Sequence, residues 1–129
     1  MLRRRSHGES SLSSGQIPPS IQQQIARLQQ LQQTLGVIIA EKQRLQAELD
    51  EISHALEELG KSADDVAVYK AVGPILVQTT KAKVLSELTE KRDLNDTRLK
   101  VIEKQEARTR SQLEALQKEL QSLLGQRQE

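Results

Sequence analysis

Two heptad ladders of similar length, separated by a short β-prone stretch, constrain this chain more than any single residue does. Counting in sevens from Ile21, one row reads Ile21, Leu28, Leu35, Lys42, Leu49 and Leu56, and the row three residues later reads Gln24, Leu31, Ile38, Leu45, Ile52 and Leu59. Only Lys42 and Gln24 break that seam. A second register reads Leu85, Arg92, Leu99, Glu106, Leu113 and Leu120, accompanied by Leu88, Asn95, Ile102, Thr109, Leu116 and Leu123. Its polar interruptions make it the looser ladder. Apolar residues spaced alternately by three and four put a narrow stripe on each helix, wide enough for one partner helix and too narrow for a globular core.

Composition agrees with that reading. The 129 residues amount to one folding unit, and their 36% hydrophobic content includes one Tyr, no Phe and no Trp, whereas a compact globule of this size draws on aromatic bulk. High but balanced charge, net +1, with abundant Gln, Glu, Lys, Leu and Ala, is what long helices and coiled coils use. Arg3, Arg4 and Arg5 form the densest run of one sign, and the ladders mix both signs, so neither nucleic acid nor a membrane is an expected partner. The absence of cysteine excludes disulfides and thiolate chemistry and suits a reducing compartment. No apolar stretch approaches the roughly 20 residues that span a bilayer. The Ser-, Gly- and Arg-rich leader, residues 1–16, has no apolar h-region, and Glu9 and its glycines spoil an amphipathic transit helix. It is expected to be disordered, and the chain to be cytoplasmic.

Pro18 and Pro19 suit a first helical turn, which places the first helix over about 19–59. Gly60 then stands as a C′ residue able to take a left-handed conformation, with turn chemistry at Ser62, Asp64 and Asp65. From Val66 the period changes to an alternation. Two β-rich runs divided by Gly73-Pro74 predict a hairpin over about 66–79. A second helix is expected over about 80–124, ended by Gly125 and a disordered tail, 125–129. Helices of about forty residues extend roughly 60 Å. Joined by a short connection they fold back antiparallel, bringing Leu59 near Lys81 and Ile21 near Leu120. The expected fold is therefore mainly α, an antiparallel two-helix coiled coil with a β-hairpin between the helices. A lone two-stranded hairpin is marginal in water and offers two unpaired edges, so several chains are expected to pair their hairpins into a closed sheet.

The run Val68-Tyr69-Lys70-Ala71-Val72-Gly73-Pro74-Ile75-Leu76-Val77, followed by Thr80-Lys81 and set between two ladders, closely resembles the beta-class subunits of the prefoldin family. The likeness continues through Glu87-Leu88, Glu90-Lys91 and Lys104-Gln105-Glu106 and covers about residues 17–124. It is nearest the archaeal form, with eukaryotic prefoldin subunit six as a near relative. The leader departs from the family pattern, as does Asp93-Leu94-Asn95-Asp96, where the coil is expected to be looser. The resemblance implies a hetero-hexamer of two alpha-type and four beta-type subunits. Their hairpins would form a β-barrel base built from Val66, Val68, Tyr69, Val72, Gly73, Pro74, Ile75, Leu76 and Val77. It also implies a holdase that captures unfolded polypeptides between its coiled-coil ends and passes them to a group II chaperonin without consuming nucleotide. Nothing in the chain reads as a phosphate-binding loop.

The helix ends far from the hairpin are where seam positions are most readily lent to another chain, because terminal turns fray. The candidate client-binding residues are Ile17, Ile21, Ile25, Leu28, Leu116, Leu120, Leu123 and Leu124, with Ile25 and Leu124 just off the seam. Each buried Leu or Ile is worth about 1.5–3 kcal/mol, so a few contacts per tip would bind weakly and tolerate varied geometry. The bland alternative is that these residues simply close the coil. Gln22, Gln23, Gln24, Gln29, Gln30, Gln32 and Gln33 make the same region polar without charge, which ordinary helix solubility also explains. Asp50 and His54, with Glu57 and Glu58 nearby, have a metal-like spacing but no third convergent ligand, and read as solvated charge. Lys42 either sets register or snorkels outward. No catalytic constellation, metal site or cofactor is expected. The competing function is a structural coiled-coil adaptor binding one defined partner helix.

Overall fold

Four elements follow one another in the computed structural model, which describes residues 17–128: helix α1 (Pro19–Gly60), strands β1 (Val68–Val72) and β2 (Ile75–Thr79), and helix α2 (Lys81–Gln128). The leader, residues 1–16, and Glu129 lie outside the described residues. The α1 start is dictated by its two prolines. Pro19 takes the first helical position, where a missing N–H costs nothing, and the Pro18 carbonyl accepts from the amides of Ile21 (3.0 Å) and Gln22 (3.1 Å).

The helix ends differ from the sequence expectation. Gly60 is the last residue of α1, and among the described residues only Gly73 has a positive φ, so no left-handed glycine cap forms. Instead the chain tightens past the helix: the Lys61 amide donates to the carbonyls of Glu57 and Glu58 (3.3 Å each) and the Ser62 amide to that of Leu59 (3.1 Å). The Ser62 hydroxyl adds a bond to the Glu58 carbonyl (3.2 Å). Carbonyls left over at the helix end are thereby satisfied without the glycine. α2 begins one residue after its cap: the Thr80 hydroxyl accepts from the Lys83 amide (3.2 Å) and the Thr80 carbonyl from that of Val84 (3.1 Å). Rather than stopping at Leu124, α2 carries on through Gly125 to Gln128. A helical glycine costs about 1 kcal/mol against Ala, which neighbouring good helix formers offset.

β1 and β2 pair antiparallel in the register Val68↔Thr79, Tyr69↔Gln78, Lys70↔Val77, Ala71↔Leu76 and Val72↔Ile75. Gly73 and Pro74 are the two turn residues. Gly73 has φ +58°, and Pro74 is restricted to negative φ, which together select the II′ turn whose twist matches the strands.

The chain divides into two compact units, one comprising residues up to Val37 and from Glu106 onward, the other Ile38–Gln105. In the first, the terminal unit, Ile21, Leu31, Thr109 and Leu120 are buried. In the second, the hairpin unit, the core is Ile38, Leu45 and Ile52 with Asn95 and Lys81, and Leu45 is the most enclosed at 1% exposure. Every position of the two ladders is buried or half-buried, Lys42 included. In the hairpin unit Glu48 of α1 pairs with Asn95 of α2, and Ser62, just past α1, pairs with Lys81 at the start of α2; the partners step in opposite directions, so the helices are antiparallel there. The Asp93–Asp96 stretch is continuous helix and contributes a fully enclosed side chain, Asn95, so it is not the loose point its sequence predicts.

Candidate functional site

After the seams are closed, the hairpin in one unit and the helix ends in the other each carry an apolar surface, beside scattered exposed residues such as Val37, Leu94 and Val101. Alternation along the strands and the observed register place Val68, Lys70, Val72, Ile75, Val77 and Thr79 on one face and Tyr69, Ala71, Leu76 and Gln78 on the other. Of the nine residues assigned to assembly, Val66 and Val68 are half-buried and the rest are exposed, Leu76 at 72%. Both faces are thus apolar and open, and the sheet has only these two strands, so each strand keeps one edge unpaired. The charge on the first face is neutralised within the chain, since Lys70 Nζ lies 3.2 Å from a Glu87 carboxylate oxygen on α2.

The terminal unit carries the second surface. Ile25 and Leu28 of α1 and Gln117, Leu120, Gln121 and Leu124 of α2 line an open cleft of about 390 Å³. Aliphatic side chains form its floor, and its polar members are uncharged amides. Of the eight residues assigned to client binding, Ile17, Ile25 and Leu124 are exposed, Leu28, Leu116 and Leu123 are half-buried, and Ile21 and Leu120 are closed into the seam at 5% exposure each. The cleft therefore unites Ile25, Leu28, Leu120 and Leu124. Ile21 is reached only by opening the helix pair.

Two polar residues on the seams, Gln24 and Asn95, find partners on the facing helix. The Gln24 side-chain amide donates to Glu119 Oε1 (2.7 Å), and its own oxygen is buried without a partner among the described residues. The Asn95 amide donates to Glu48 Oε1 (2.9 Å), and Glu48 also pairs with Arg44, whose guanidinium makes a two-pronged contact with Glu41 at 2.9 and 2.7 Å. That hydrogen bond, reinforced by the guanidinium charge, holds the Glu41 carboxyl below its ordinary value of 4.5. Sequence reasoning left Lys81 out of the ladder, although stepping back seven from Leu88 reaches it. It also left out Gln117 and Gln121, which carry no signal until the cleft exists. Asp50 and His54 are exposed, and among the described residues no three His, Asp or Glu side chains converge on a metal-sized site.

This architecture has close counterparts among known proteins. The profile of the prefoldin subunit family matches residues 22–127, nearly the whole described chain. The chain belongs to the prefoldin family. Its members are chaperone subunits, and the relatives found are beta subunits. That of Methanothrix thermoacetophila is 45% identical over 113 residues, covering 88% of this chain and 94% of the relative. That of Archaeoglobus fulgidus is 44% identical, covering 86% and 96%. Among solved structures, the prefoldin beta subunit of Thermococcus strain KS-1 superposes with a TM-score of 0.77 at 40% identity, covering 84% of this chain and 95% of that one. The beta2 subunit of the same strain shares the fold at a TM-score of 0.65 and 21% identity, covering 70% and 97%. The resemblance read from the hairpin motif is thereby established, and with it the helix–hairpin–helix prefoldin architecture. No helix among the described residues is long and apolar enough to cross a membrane.

Proposed function

We propose that this chain is a beta-type subunit of an ATP-independent holdase. The single observation that carries the reading is the presence of two unsatisfied apolar surfaces of different character. One is a β-hairpin open on both faces, and the other is an aliphatic cleft between the helix ends far from the hairpin. The hairpin is a surface for other hairpins: two strands alone are marginal, and closure with further subunits removes the unpaired edges. Its partners are prefoldin subunits, in a hexamer of two alpha-type and four beta-type chains with the hairpins as a β-barrel base.

The cleft is a surface for clients. Ile25, Leu28, Leu120 and Leu124 contribute a few contacts at about 1.5–3 kcal/mol per fully buried side chain, enough for weak capture at one tip and for avidity when several tips act together. Non-native polypeptides are held there and released to a group II chaperonin in the cytoplasm. No catalysis and no cofactor enter the scheme.

Light scattering from a refolding, aggregation-prone enzyme tests it. The assembled protein is expected to suppress scattering without nucleotide, and equal scattering with and without it would overturn the reading. Removing residues up to Leu28 together with those from Leu113 onward is expected to abolish suppression while the remaining chain still assembles. Saturable one-to-one binding of a folded helix, with indifference to denatured enzyme, would instead identify an adaptor.

A further inference from the structure

A buried lysine calls for an explanation in any fold, because desolvating an ammonium is costly unless it is well partnered. Lys81 is 8% exposed and occupies a seam position at the first residue of α2. Its ammonium donates to the Ser62 carbonyl at 2.6 Å and lies 3.3 Å from Asp64 Oδ1. The Asp64 side chain is fully exposed, and an ion pair with one solvated partner holds little. The Ser62 carbonyl is therefore the principal anchor.

That carbonyl belongs to the short connector between α1 and β1, immediately past the end of α1. α1 has no basic residue in its last turn and no left-handed glycine cap. Two cations stand at that end: Lys61, exposed and 3.7 Å from a Glu57 carboxylate oxygen, and Lys81, which reaches over from α2 to the Ser62 carbonyl. A polar attachment of strand to helix is Lys70–Glu87, with both side chains more than half exposed. Lys81 is the enclosed tie between the two segments that lead into and out of the hairpin.

We propose that Lys81 is a positioning residue for subunit assembly: by holding the Ser62 carbonyl it fixes the connector, and with it the angle at which β1 and β2 are presented to neighbouring subunits. The inference rests on the reading of the hairpin as the assembly surface. A lysine is suited to this because its long stem packs in the seam while three donors at its tip reach out to the connector. Beside it a cleft of about 140 Å³, lined by Asp64, Lys81, Ala82 and Leu85, leaves room for a bulkier cation.

The test uses the full chain, alone and mixed with an archaeal prefoldin alpha subunit, with molar mass followed by light scattering across a dilution series. Lys81→Met keeps the stem and removes the charge. It is expected to retain helical content while raising the concentration for half-assembly by on the order of tenfold, the cost of a lost hydrogen bond to a charged group. Faster amide exchange at residues 61–67 is expected with it. Lys81→Arg, which keeps donors and charge, is expected to restore assembly, a rescue that a purely packing role would not give. Leu76→Asp, in the exposed hairpin face, serves as the control for the underlying reading. If Leu76→Asp assembles normally, the hairpin is not the assembly surface and both ideas fall. If Leu76→Asp fails to assemble while Lys81→Met behaves as the parent, only the role of Lys81 is overturned. Global unfolding of Lys81→Met would overturn it as well, since Lys81 would then stabilise the whole chain rather than orient one part.

Discussion

Asn95 donates its side-chain amide to the Glu48 carboxylate across 2.9 Å, from a seam position only 1% exposed. An asparagine in the seam of a coiled coil trades stability for a defined register. Here its acceptor sits at the half-exposed margin of the seam and is held from outside by Arg44. When Asn95 is removed, Glu48 regains water. Asn95→Leu is therefore expected to stabilise the chain by about 1 kcal/mol, since a well-packed apolar replacement of a buried polar group is often neutral or favourable. Urea unfolding monitored by helical dichroism checks it through a raised midpoint at constant slope.

Leu45 is the most enclosed apolar side chain of the hairpin unit. It borders a surface groove with Val101 and Ile102, into which neighbours can relax. Leu45→Ala is expected to cost about 2–3 kcal/mol, the lower part of the range for buried leucines, and the same urea titration measures it.

One substitution at two glycines separates backbone demand from helix propensity. A Cβ meets nothing within 4 Å at either Gly36 or Gly73, but only Gly73 has a positive φ. Gly36→Ala, in mid-helix, is expected to stabilise by up to about 1 kcal/mol. Gly73→Ala, at the left-handed position of the II′ turn, is expected to destabilise the hairpin by about 1 kcal/mol or more. Thermal melting reads the first, and cross-strand NMR contacts between Val72 and Ile75 read the second.

The Glu41–Arg44 contact predicts a pH effect with a definite sign. The folded carboxyl titrates below its ordinary 4.5 because Arg44 hydrogen-bonds the charged form. Its stabilisation is present above that value and lost as pH falls through the folded value. Glu41→Gln is expected to flatten this part of the dependence of melting temperature on pH. Carboxyl NMR titration of Glu41 in the parent checks the direction.

At the tip, the cleft residues should divide by exposure. Ile25 is 36% and Leu124 44% exposed, against 5% for Leu120. Replacing Ile25 and Leu124 together by Ser is expected to change the melting temperature little while impairing suppression of client aggregation. Leu120→Ser is expected to lower stability as well, by about 2 kcal/mol or more. Melting and light scattering on the same samples separate the two effects.

Period and punctuation alone determined much of this protein. A spacing of three and four in two ladders specified two long helices and their seams, down to Thr109 and Asn95 as seam positions, because helical geometry makes burial a function of residue number. Gly73-Pro74 between alternating β-formers specified the hairpin, while the type of its turn was fixed by the positive φ of Gly73 in the structure. What the tertiary structure decided lies in pairings between distant segments. These include Lys81 holding the Ser62 carbonyl just past α1, Asn95 finding Glu48 and Gln24 finding Glu119. Periodicity assigns a residue to a face but not to a partner. Whether a glycine ends a helix, or a lysine is buried, depends on which donors and acceptors the returning chain brings within hydrogen-bond reach.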